Sequence, residues 1–284
     1  KVGTAPGMWF ERDGKIVVSL PGVPFEMQWL MSEYVLPRLQ QRLGTEAILH
    51  KTVLTCGIGE SFLADTIEAW ELALPTNFRL AYLPEAGKVR LRLSAHGDDK
   101  LLLQQQMDEQ LAKLIPLIDT YIYGYDDETF ASVIGKLLIE RGATLATAES
   151  CTGGQLGHRI TEVAGASAYY LGGVVAYSND IKEQLLGVHT DTLTQYGAVS
   201  AQTAEAMAIG CRRLFQTDYA IATTGISGPT GGTEEKPLGT VWIAIASEKG
   251  VVSKKYVFRT TRVQHQERTV NQALFDFWYA LSHS

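Results

Sequence analysis

The chain has 284 residues, 45% hydrophobic and 20% charged, enough for the cores of two or three domains. A formal net charge of −6 argues against nonspecific binding to nucleic acid or to an anionic membrane. The three cysteines (Cys56, Cys151, Cys211) form no CxxC pair and the six histidines show no HxxxH or HExxH spacing, so pattern supports neither a disulfide framework nor a metal site.

No apolar run is long enough to span a bilayer, and a reducing cytoplasm is the expected compartment. The chain opens on Lys1-Val2-Gly3 without an initiator Met and reads as the later part of something larger. In chain order, Lys15 to Leu20 is a short strand, Pro21 to Pro24 a turn, and Phe25 to Leu43 a helix by its apolar spacing. One strand and one helix cannot close a core, so residues 1–45 need a partner.

Residues 48–125 have their own rhythm. Strand Lys51–Cys56 and helix Gly59–Ala73 come first. A hairpin of Phe78–Leu83 and Lys88–Ala95 follows across Pro84-Glu85-Ala86-Gly87, then helix Asp98–Leu117 and strand Thr120–Tyr125. The order β-α-β-β-α-β is a split βαβ, ferredoxin-like α+β plan. Tyr123 to Glu128 reads as a linker. There is no basic stripe and no GxxG loop, so nucleic acid is not an expected partner.

Residues 129–284 alternate strands and helices, which predicts an α/β/α layered domain. Thr129 to Arg141 is a helix with Thr129 as N-cap and Gly142 as its stop. Ala143–Ala146 is a buried strand and Gln155–Val163 a helix. Gly172–Tyr177 is the second strand; Asn179–Leu186 and Ser200–Phe215 are helices, the latter capped by Ser200. Tyr219–Thr223, Thr240–Ala246 and Lys255–Phe258 are the remaining strands, and the last helix runs from about Val263 to Leu281.

Between the first of these strands and its helix lies Thr147-Ala148-Glu149-Ser150-Cys151-Thr152-Gly153-Gly154. A serine at a strand tip is pushed out where open α/β sheets bind ligands. The turn amides that follow can hold an anion or an oxyanion. The same segment also satisfies a plainer reading, a helix N-cap with a glycine turn. Cys151 is the second-choice nucleophile. His158, two helical turns on, points elsewhere.

Three further segments sit near strand ends. Tyr177 ends a strand and Lys182 lies early on the next helix, where burial and the helix dipole would depress its pKa and make it a candidate base. From spacing alone, a half-buried tyrosine and a solvated lysine are the commoner outcome. Thr223 to Gly232 is rich in glycine, which lets backbone approach a ligand, but lacks the Gly-Lys-Ser/Thr of a P-loop. Arg259-Thr260-Thr261-Arg262, with Arg268 beyond, could clamp a phosphate or carboxylate, although surface arginine is the usual fate.

Thr147–Gly154, Ala176-Tyr177-Ser178-Asn179 with Lys182, and Thr224–Gly232 together resemble the CinA C-terminal domain across 129–284. Gly3–Gly7 with Leu20–Met27 resembles the end of that family's molybdopterin-binding-like α/β domain, and 48–125 its KH-like domain. The resemblance implies a nicotinamide-nucleotide amidase, hydrolysing nicotinamide mononucleotide (NMN) to nicotinic acid mononucleotide and ammonia in pyridine-nucleotide salvage. It implies Ser150 as nucleophile, Tyr177 and Lys182 as the proton path, and Thr224 in support. Cys151, Thr152, Gly153, Gly154, Gly225, Ser227, Gly228 and Arg262 would hold oxyanion or phosphate.

It further implies no cofactor for the amidase and a homodimer. A divalent metal is expected only for a complete N-terminal domain with ADP-ribose-type pyrophosphatase activity, most of whose site is expected to be missing here. That pyrophosphatase, and a non-enzymatic nucleotide-binding protein, are the alternatives.

Overall fold

The computed structural model describes residues 3, 5–43, 47–85 and 87–283. Thr4 and Ala86, which belong to two segments singled out above, lie outside the described residues. The chain divides into two compact units, Lys1–Ile122 and Tyr123–Ser284.

The first unit begins with a strand that apolar patterning does not reveal. β1 (Met8–Arg12) pairs antiparallel with β2 (Lys15–Ser19). Asp13 and Gly14 both have positive φ (52° and 73°), as the tightest hairpin turns require. The Asp-Gly pair was therefore the available signal for β1. The expected helix is present as α1 (Pro24–Leu30) and α2 (Leu36–Leu43), joined by a π-helical turn over Met31–Val35. The wide turn precedes Pro37, whose ring and missing N–H disfavour a regular α-turn there.

β3 (Ala47–Cys56), α3 (Glu60–Leu72), β4 (Phe78–Glu85), β5 (Lys88–Gly97), α4 (Lys100–Ile118) and β6 (Ile122–Tyr125) follow, with sheet order β4-β5-β3-β6. That order is the one a split βαβ plan produces. Along β5, Val89, Leu91, Leu93 and Ala95 point inward and alternate with the outward Arg90 and Arg92. Leu63, Ile67 and Trp70 of α3 and Leu103, Met107 and Leu114 of α4 are buried on the helical side. Asp99 caps α4 by accepting from the amides of Leu101 and Leu102.

The segment read as a linker is ordered instead. Tyr123 stacks on Phe130 with ring centroids 4.2 Å apart and meets Trp278 edge-on, which fixes the start of the second unit.

The second unit contains α5 (Phe130–Glu140), β7 (Leu145–Glu149), α6 (Gln155–Thr161), β8 (Tyr170–Val175) and α7 (Asn179–Leu186). α8 (Thr190–Tyr196), α9 (Ala201–Phe215), β9 (Tyr219–Gly225), β10 (Thr240–Ser247), β11 (Gly250–Val257) and α10 (Arg262–Ser282) complete it. The sheet order is β11-β10-β9-β7-β8; β7 is parallel to β8 and β9, while β10 and β11 run antiparallel. α7 and α8 pack with α9 on the sheet, and α5 and α6 pack with α10, so the unit is an α/β/α sandwich.

Thr129 caps α5 in a reciprocal capping box with Ser132. α8 was not expected from the sequence, and β11 begins five residues earlier than its apolar end suggests. β7 runs to Glu149 rather than ending at Ala146, because neighbours on both sides and both faces bury all five of its residues.

Under α9 the sheet is lined with alanines 146, 148, 220, 222, 244 and 246. These small side chains let the helix lie close. The closest approach is between helices: a Cβ on Gly210 of α9 would fall 1.8 Å from the Leu186 carbonyl oxygen at the end of α7.

Candidate active site

The chain leaves β7 for β8 on one side and later returns to β9 on the other. The crevice at the carboxyl ends of these strands is the topological switch point where open α/β sheets bind ligands. Glu149 lies opposite Val175 of β8 and Thr223 of β9. The ladder continues one residue further: the Ser150 amide donates to the Thr223 carbonyl (2.9 Å) and the Ala176 amide to the Glu149 carbonyl (2.7 Å). Ser150, Ala176-Tyr177 and Thr224-Gly225 are thereby brought to one edge.

Glu149 builds the turn after Ser150. Its side chain is buried, and its carboxylate accepts from the Thr152 hydroxyl (2.6 Å) and from the amides of Gly154 (3.0 Å), Leu156 (3.0 Å) and Gly157 (2.8 Å). Because Thr152 gives its proton to Glu149, the 2.8 Å contact between Thr152 and Thr223 has Thr223 as donor. Positive φ at Gly153 (62°) and Gly154 (98°) folds the turn back over the carboxylate.

The amides of Gly153 and Gly154, read from sequence as ligand donors, are consumed within the turn: Gly153 donates to the Ser150 carbonyl and Gly154 to Glu149. The Thr152 amide has no protein acceptor among the described residues, and the Cys151 amide meets its own sulfur. Ser150 is half-buried. Cys151 is buried, which pushes its thiol up to about 12, so it stays protonated and is a poor nucleophile.

Lys182 is only 1% exposed. Ser178 caps α7 through the Ile181 amide, and the lysine turns back so that Nζ donates to the carbonyls of Ala176 (2.8 Å) and Ser178 (3.5 Å). Burial lowers its pKa, and the nearby Cys151 only partly opposes this.

Thr224 is buried and donates its hydroxyl to the Ala198 carbonyl (2.7 Å), so it can offer a ligand only an acceptor. Gly225 admits no side chain, since a Cβ would sit 2.8 Å from the Thr240 carbonyl oxygen on the paired β10 side. Tyr177 is 61% exposed, and Arg262 joins it to the glycine-rich loop: Nη2 donates to the phenol (2.6 Å) and Nη1 to the Gly228 carbonyl (2.9 Å).

The loop and the segment Arg259 to Arg262 line a cavity of about 890 Å³ that also includes Ser227 and Gly228. Arg268 does not line it. His158 is exposed and lies 3.5 Å from Glu162.

Two residues central to this geometry carried no weight in the sequence. One is Glu149, inside the motif but given no role there. The other is His265, fully buried between the Ser227 hydroxyl (2.9 Å) and the Gly239 carbonyl (3.1 Å). Its neighbour Gln266 donates to the Cys151 carbonyl (3.0 Å), so the start of α10 touches the exits of β7, β8 and β9 together.

The CinA C-terminal domain profile matches residues 127–279, and the damage-inducible protein CinA KH domain profile matches 50–124. A CinA-like protein of Cytophaga hutchinsonii is 49% identical over 253 residues, covering 89% of this chain and 60% of that protein. One of Flavobacterium psychrophilum is 46% identical over 275 residues, covering 96% and 66%. The chain thus spans less than two thirds of the length of these relatives.

Among solved structures, the competence/damage inducible protein CihA from Agrobacterium tumefaciens is 41% identical with a TM-score of 0.52, covering 54% of this chain and 94% of that one. The competence damage-inducible protein A from Klebsiella pneumoniae is 35% identical with a TM-score of 0.53, covering 54% and 96%. By the two profiles, the relatives and the shared fold, the chain belongs to the CinA family.

Proposed function

We propose that the second unit is a nicotinamide-nucleotide amidase that hydrolyses NMN to nicotinic acid mononucleotide and ammonia. The observation that carries this reading is Lys182, a buried amine held by two backbone carbonyls, with a lowered pKa, at the strand edge that presents Ser150. Burial disfavours its charged form, which makes it a better candidate base than a solvated lysine.

In the proposed reaction Lys182 takes the Ser150 proton as Oγ bonds to the carboxamide carbon and the carbonyl electron pair moves to oxygen. The Cys151 and Thr152 amides hold that oxyanion. Collapse breaks the C–N bond, and the Lys182 ammonium gives its proton to the leaving nitrogen as ammonia departs. Water then attacks the acyl-enzyme, Lys182 accepts its proton and returns one to Ser150, and the acid is released. Tyr177, whose phenol accepts from Arg262, relays protons beside Lys182, and Arg262, which lines the cavity, faces the nucleotide's phosphate. Ser227 and Gly228 line the cavity wall, and Thr224 and Gly225 end β9 just before that loop.

Ammonia release from NMN by the purified chain in the presence of EDTA, beside Ser150→Ala, tests the reading. The substitution is expected to cut the rate by about 10⁴-fold or more. No release by the parent, or equal release by both, removes it.

We also propose the three-part organisation 1–45, 48–125 and 129–284 and a homodimer in the cytoplasm; sedimentation equilibrium of the full chain at micromolar concentration tests the dimer, and a monomer there removes it. Among the described residues, no helix is long and apolar enough to cross a membrane.

A further inference from the structure

Ser227 and His265 have the residue types of a nucleophile and its base, yet their surroundings forbid that role. A carbonyl can only accept, so the contact between His265 Nε2 and the Gly239 oxygen requires a proton on Nε2. Nδ1 then accepts, and the Ser227 hydroxyl donates to it. A catalytic base of this kind needs a carboxylate behind it to stabilise the imidazolium, and here a neutral carbonyl takes that place. Burial lowers the His265 pKa, the Gly239 carbonyl partly opposes it and the neighbouring Arg262 adds to it, so the charged ring is disfavoured.

Ser227 is 8% exposed and lines the cavity beside Gly228, whose carbonyl is tied to Arg262. With its only proton committed, its oxygen offers the cavity lone pairs alone. It therefore repels phosphate and carboxylate oxygens and accepts from a hydroxyl. We infer that Ser227, locked by His265, is a specificity-determining acceptor for a ribose hydroxyl of the bound nucleotide, setting the sugar against the loop and leaving the arginine side to the phosphate. The inference rests on the amidase reading for the identity of that nucleotide.

Calorimetric titration of the full chain carrying Ser150→Ala, with NMN and its 2′,3′-dideoxy counterpart as probes, tests it. The dideoxy nucleotide is expected to bind about tenfold more weakly, the cost of one lost hydrogen bond. Adding Ser227→Ala is expected to erase that difference. Nitrogen NMR of the His265 ring in the unsubstituted chain is expected to show the neutral form protonated at Nε2, whatever the variants do to folding.

A ring protonated at Nδ1, a difference that survives Ser227→Ala, or no discrimination to begin with, absence of binding included, overturns the inference. Binding is read with the nucleophile removed, so the two readings fail separately. Ammonia release without sugar discrimination removes this inference alone, and discrimination without ammonia release removes the amidase alone.

Discussion

Lys182 pays a desolvation cost that no carboxylate among the described residues offsets, since its amine donates to the carbonyls of Ala176 and Ser178. A lysine whose folded pKa is depressed contributes stability above its unfolded pKa and loses it as pH falls through the folded value. Lys182→Met is therefore expected to keep or raise the unfolding midpoint, increasingly so at lower pH, while amidase activity falls by about 10²–10⁴-fold. A thermal melt and an ammonia assay on the same preparation check both halves. In the parent, activity should rise with pH through the lowered ionisation. Ser150 stood out in the sequence by its place between a strand and a helix start, whereas spacing alone favoured a solvated Lys182 and only the family resemblance implied its role. The roles of Glu149 and His265 were not legible: the carboxylate's partners exist only once two glycines fold the turn back, and Ser227 lies 38 positions from the histidine it serves. Nothing in local spacing distinguishes either from an ordinary polar residue.

At the level of elements, the site depends on how closely α7 can lie against α9. Gly210 makes that possible, and the atoms a new Cβ would strike are the backbone of Leu186 rather than a flexible side-chain end. Gly210→Ala must push the end of α7 outward, and α7 carries Lys182. Overpacking of this kind costs about 1–3 kcal/mol. A lowered denaturation midpoint together with a fall in kcat larger than the change in KM is the expected result; an unchanged midpoint would contradict the packing argument. Alternation and capping made most elements visible beforehand, as Thr129 and Ser200 illustrate at their helix starts. The strand at β7 was drawn too short because Thr147 and Glu149 look polar. Their polarity is satisfied inside, Thr147 by the Tyr170 hydroxyl and Glu149 by the turn, so the strand can continue fully buried.

Across the whole molecule, the Tyr123–Ser284 unit contains every residue of the proposed chemistry and its own core. The solved Agrobacterium tumefaciens relative is covered to 94% by 54% of this chain, so comparable chains exist at about that length. A fragment beginning at Tyr123 is expected to fold cooperatively and to release ammonia from NMN within about threefold of the full chain, a margin of roughly 0.7 kcal/mol; circular dichroism melts and the same assay check it. The buried amine has one more consequence, which concerns calorimetry. An anionic nucleotide arriving near Lys182 raises the affinity of that nitrogen for a proton, so binding near its ionisation should draw protons from the medium. The apparent binding enthalpy of NMN to Ser150→Ala should then change with the ionisation enthalpy of the buffer, and Lys182→Met should make it indifferent to the choice of buffer.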